Sequence, residues 1–135
     1  EEVNETFNEI IKVIDANNFV NKKLPSVEVS VKVGYWRKSN QIHDWFVHNV
    51  QDGEDDCRKY EFDREKLVEL KELCEQVLAD HSLAEELLPT SSGFFFGSTE
   101  YDDYYFGDLM STVEMLDNIL TNVPDSWTFT YQSSW

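Results

Sequence analysis

At 135 residues the chain has the length of one compact domain, long enough to bury a core without disulfides or a structural metal. An apolar fraction of 41% with 14% aromatic residues excludes a disordered acidic tail. Twenty-seven acidic against eleven basic residues give a formal charge of -16, a sign that repels nucleic acid and anionic membranes and attracts basic surfaces.

Val3, Phe7, Ile10, Ile11 and Ile14 recur at helical spacing, and Asn17 and Asn18 supply a stop, which predicts a first helix. Val27, Val29, Val31 and Val33 alternate with Glu28, Ser30 and Lys32 as in a half-buried strand. Pro25 and Ser26 equally allow one long helix over 27–51, and both readings stay open. Tyr35, Ile42, Trp45, Phe46 and Val50 share a helical face that ends at Asp52 and Gly53. Asp63 is a predicted N-cap for a helix with the stripe Leu67, Leu70, Cys74, Val77 and Leu78. A helical turn over 82–88 is closed by Pro89. Thr99 and Asp102 form a capping-box pattern that opens a helix over 100–122, with Tyr101, Tyr105, Leu109, Thr112, Leu116, Ile119, Leu120 and Val123 on its apolar face. Trp127, Phe129 and Tyr131 alternate as a closing strand. Together these predict an α+β fold: one mainly helical domain over 1–135, with three to four helices and a small sheet.

Motifs for chemistry are sparse. No GxSxG elbow, Walker or GxGxxG loop or HExxH pair occurs, and five glycines leave little for a phosphate cradle. Cys57 and Cys74 stand in no zinc spacing, and the acid run from Asp52 has its glycine misplaced and no closing glutamate for a calcium loop. No catalytic residue, cofactor or metal is therefore expected. No apolar run approaches the roughly 18 residues of a membrane span, and the amino end has no secretory pattern, so a cytoplasmic setting is expected. The chain opens on Glu1 rather than Met, so a preceding segment is expected.

Three features are candidates for function. Tyr35, Trp36, Arg37, Lys38 and His43 combine rings with cations, the groups that hold an anion or anchor a partner. Phe94, Phe95 and Phe96 between two glycines are too many for one core face of an extended segment, so at least one is expected to find a second buried surface or lie exposed, either in a loop that plugs the core or at a pocket or interface. The third is the distribution of charge. All eleven basic residues lie between Lys12 and Lys71, and positions 72–135 hold twelve acids with no Lys or Arg. Glu100, Asp103, Glu114 and Asp117 on the last helix, with Glu54, Asp55 and Asp56 in the turn, form a predicted acidic face. Carboxylates three or four residues apart on a helix lie about 5–6 Å from one another, permissive for a groove built to take phosphates about 3.4 Å apart along a strand.

The words Gly34 to Lys38, Ile42 to Val47, Asn49 to Gly53, Leu87 to Thr90, Gly93 to Thr99 and Tyr101-Asp102 resemble a widespread family of small bacteriophage and prophage proteins, over roughly 34–120. The chain departs from that pattern at Arg58-Lys59, where a Gly-Glu pair is expected. The resemblance implies a phage setting and the cytoplasm of a host cell, and carries over no catalytic residue. With the charge, it leads to an expected inhibitor of a host nucleic-acid-targeting defence complex, of anti-CRISPR or anti-restriction type, acting by DNA mimicry on a host protein with a basic surface. The alternatives are a small-ligand protein, either a nucleotide-signal sponge or an unfamiliar enzyme, with Trp36, Arg37, Lys38, His43 and the three phenylalanines lining its pocket, and a virion or assembly component.

Overall fold

A computed structural model describes residues 5–92 and 98–134. Among the described residues, five α-helices and a two-stranded antiparallel sheet make the fold α+β and mainly helical. Backbone contacts divide the chain into two compact units, 1–32 and 33–135.

The first unit contains α1 (Glu5–Val13), with Ile11 buried. The helix stops well before Asn17: Asp15 turns into the left-handed region, and the Ala16 N–H returns to the Ile11 carbonyl. The residues that follow are neither helix nor strand as far as Ser39. Both readings of 27–33 are thereby corrected. The valine alternation is present, but among the described residues it meets no partner strand.

In the second unit α2 (Asn40–Asn49) leads to a tight turn, then β1 (Tyr60–Phe62), α3 (Arg64–Ala79), a 3₁₀ turn (His81–Leu83), α4 (Ala84–Leu87), α5 (Asp103–Asn122) and β2 (Phe129–Tyr131). Helix α3 follows Asp63 as predicted and buries Leu67, Leu70, Cys74 and Val77 against α5. Helix α5 starts three residues later than predicted. Asp102, rather than Thr99, is its N-cap, its carboxylate accepting the Tyr105 N–H. The buried side of α5 is Tyr105, Leu109, Thr112, Leu116 and Ile119; of the rest of the predicted face, Tyr101 lies ahead of the helix and is exposed, and Leu120 and Val123 are partly buried at its end.

Strand β2 pairs antiparallel with β1, Tyr60 opposite Tyr131 and Phe62 opposite Phe129. Two short strands are marginal alone; rings hold these in place. Phe46 of α2 lies flat on Tyr131 with centroids 3.8 Å apart, and Phe62 stacks on Phe129 at 5.8 Å. Cys74 is fully buried, and burial pushes its thiol up to about 12, well away from reactivity at neutral pH. No helix among the described residues is long and apolar enough to cross a membrane.

Candidate functional site

The segment entering α2 separates the residues that the sequence groups together. Trp36 turns inward: its indole N–H donates to the Thr112 hydroxyl at 2.8 Å, and its ring packs 5.5 Å from Phe46. Tyr35 points outward, 73% exposed. Arg37 and Lys38 are exposed, and Lys38 takes a left-handed backbone (φ 56°) that ends the segment and sets the entry to the helix. The two cations reach a cleft of about 320 Å³ whose other walls are Gln41, Tyr104, Tyr105 and the carboxylates Glu100, Asp102 and Asp108. Among the described residues of the aromatic and basic group, only Arg37 and Lys38 line this cleft. Phe94, Phe95 and Phe96 lie outside the described residues.

Asp108 forms the half-buried floor. Burial raises its carboxyl above the usual range, opposed by hydrogen bonds from Ser39, at 3.2 Å, and Gln41. A carboxyl with a raised pKa in the folded state binds its proton more tightly there than in the unfolded chain. Its charge therefore destabilises the fold above that pKa, and the cost is relieved as pH falls through it. Asp108→Asn is accordingly expected to raise the melting temperature at neutral pH, with an advantage that closes towards the acid range. Glu114→Gln, which removes the same charge from an exposed position, controls for net charge; an equal gain from both would dismiss the burial argument.

His43 lies elsewhere, buried at 7% exposure on the inner side of α2. Its Nε2 is 2.8 Å from the Asp55 carboxylate and its Nδ1 is 2.7 Å from the Tyr131 hydroxyl. Burial, and secondarily the charge of Asp55, push the Tyr131 phenol up, so it stays protonated in this contact. A carboxylate, an imidazole and a phenol in a row are the parts of a proton relay. Here both ring nitrogens are engaged, and the row fastens α2, the turn after it and β2 to one another.

The acidic turn is only partly outward. Asp52 and Gly53 supply left-handed backbone (φ 56° and 84°), and Glu54 is exposed. Asp55 faces His43, and Asp56 accepts the Tyr60 hydroxyl at 2.7 Å and lies 3.5 Å from Arg58. The Tyr60 hydrogen bond holds the Asp56 carboxyl below the usual range. Two of the three carboxylates assigned to a partner are thus turned to internal bonds.

On α5, Asp103, Glu114 and Asp117 are exposed on the side away from the core, and Glu100 is exposed just ahead of the helix. Asp117 is 3.3 Å from Lys71 of α3. The neighbouring surface of α3 is missing from the sequence-based reading. Glu65, Glu69, Glu72 and Glu75 are all exposed at spacings of four, three and three, which aligns their side chains along the helix. Lys66 and Lys71 approach Glu69 and Glu75 at 3.9 and 4.0 Å, exposed contacts of little strength. The signal was present in the spacing, alongside the apolar stripe that identified the helix.

Asn40 is a second residue the sequence left unmarked. Buried at the start of α2, it donates to the Ser98 carbonyl and accepts from the Ser91 N–H, both at 2.9 Å, so one side chain holds two distant loop positions. Among the described residues no group of three or more His, Cys, Asp or Glu is arranged to hold a metal ion. No protein-family model matches the chain, and no curated protein and no solved structure matches it.

Proposed function

We propose that this chain is an acidic binding protein of phage or prophage origin that inhibits a host nucleic-acid-targeting defence complex of anti-CRISPR or anti-restriction type. The observation that carries this reading is the one-signed surface after Lys71. Of the twelve carboxylates in 72–135, with no Lys or Arg among them, ten are exposed, so the field is directed at solvent rather than cancelled inside the fold. With Glu65 and Glu69, the outer faces of α3 and α5 offer rows of carboxylates to a basic groove. Such complementarity accelerates encounter and weakens with salt.

Capture of partners from nuclease-treated host lysate over a salt series tests the proposal. The expected result is a nucleic-acid-targeting complex released by salt. Reversing Glu65, Glu69 and Glu72 to Lys, or Asp103, Glu114 and Asp117, is expected to weaken that binding by about tenfold or more, about 1.4 kcal/mol per decade. Unchanged affinity in both triple variants would remove electrostatic mimicry.

The cleft beside Arg37 and Lys38 favours a second reading, a small-ligand protein. Its volume of about 320 Å³ falls at the lower end of ligand sites, about 300–1,000 Å³. Glu100, Asp102 and Asp108 oppose a polyphosphate there, so a nucleotide signal fits less well than a ligand carrying both charges. Thermal shift against cyclic nucleotides and zwitterionic metabolites separates the cases, since a bound ligand raises the melting temperature.

A further inference from the structure

Residues 27–33 read Val-Glu-Val-Ser-Val-Lys-Val. The composition is that of a strand, with β-branched residues at every second position. In the structure the segment is neither strand nor helix, and Val29, Val31 and Val33 are 51, 59 and 42% exposed. Among the described residues no backbone hydrogen bond ties it to another segment. A valine-rich stretch whose backbone N–H and C=O groups are bonded to no other described segment is a template for an added strand.

The sequence also specifies which strand. About Ser30 the segment is symmetric in size and antisymmetric in charge: Val29 mirrors Val31, Val27 mirrors Val33, and Glu28 mirrors Lys32. From this we infer that 27–33 is a self-association strand, pairing antiparallel with the same segment of a second copy about a two-fold axis through Ser30. Glu28 then lies opposite Lys32 of the partner subunit, and the reciprocal pair forms on the other side of the axis. The valines of both copies gather on one face of the ribbon.

Alternative pairings are discouraged by the same residues. A parallel pairing in register sets Glu28 against Glu28 and Lys32 against Lys32. A one-residue slip sets valines against polar residues, and a two-residue slip removes both charge pairs. Each copy carries -16, which opposes association, so the two pairs act against a general repulsion.

The test is sedimentation velocity over a concentration series, at about 0.15 M salt where exposed charges further apart than about 8 Å are screened. It compares the unaltered protein with Glu28→Lys, Lys32→Glu and the double exchange; both positions are exposed, so the fold does not depend on them. The unaltered protein is expected to dimerise. Each single change places like charges opposite one another twice and is expected to weaken the dimer about tenfold, and the double exchange to restore it within about threefold. Net charge alone predicts otherwise: each change moves it by two, to -14 for Glu28→Lys and -18 for Lys32→Glu, so the singles would shift in opposite directions. That result, a monomer at every concentration, or a dimer indifferent to all three variants would overturn the inference.

Discussion

Phe46→Ala is expected to lower the free energy of unfolding by about 3–5 kcal/mol, the cost of a truncated buried aromatic residue. Phe46 is 1% exposed and packs against the rings of Tyr131 at 3.8 Å, Trp45 at 5.1 Å, Trp36 at 5.5 Å and Phe62 at 5.7 Å. Rigid rings collapse poorly into a vacated space, so most of the cavity is expected to persist. Against a total of about 5–15 kcal/mol for an ordinary domain, the loss is about a fifth or more. Urea unfolding followed by tryptophan fluorescence measures it. A change below about 1 kcal/mol would mean that the cluster is surface decoration rather than core.

Arg64→Ala is the other large effect, expected at about 2–4 kcal/mol from hydrogen bonds made by a charged donor. From the first turn of α3, the Arg64 guanidinium donates to the carbonyls of Leu120, Val123 and Pro124 and lies 5.5 Å from the centre of the Phe129 ring. The final carbonyls of α5 have no partner within their own helix and carry its negative pole, so one side chain satisfies and neutralises that end. Arg64→Lys should recover less than half of the loss, because an ammonium cannot reproduce the planar fork. Asp125, 3.4 Å from Arg64 but 99% exposed, is the contrast: Asp125→Asn is expected to change stability by less than about 0.5 kcal/mol. Denaturant midpoints of the three variants decide the matter, and equal losses from Arg64→Ala and Asp125→Asn would assign the effect to the surface ion pair.

What could be read in advance follows the range of the forces involved. Helix α3 was legible because its N-cap and stripe are local, and so were the buried face of α5 and the alternation of β2. Strand β1 was not, since three residues between Lys59 and Asp63 acquire strand character only from Phe129 and Tyr131, some seventy positions away. Helix α2 was blurred for a related reason. It buries Asn40, Gln41 and His43, whose partners Ser98, Tyr105 and Tyr131 come from far along the chain, so an apolar period understates its inner face and wrongly recruits Tyr35. The candidate site shows the same division. Residues 35–43 form one word in sequence, yet Trp36 enters the core, Arg37 and Lys38 border the cleft, and His43 joins Asp55 and Tyr131.

The bonds that close the second unit join Ser39 to Asp108, Trp36 to Thr112 and His43 to Tyr131, separations of 69, 76 and 88 residues. Such contacts reward the chain only after a long loop has been closed. Helical content therefore misstates the speed of this molecule: its assembly belongs on the order of milliseconds to seconds, with the slow folders, rather than with helical bundles built from neighbours.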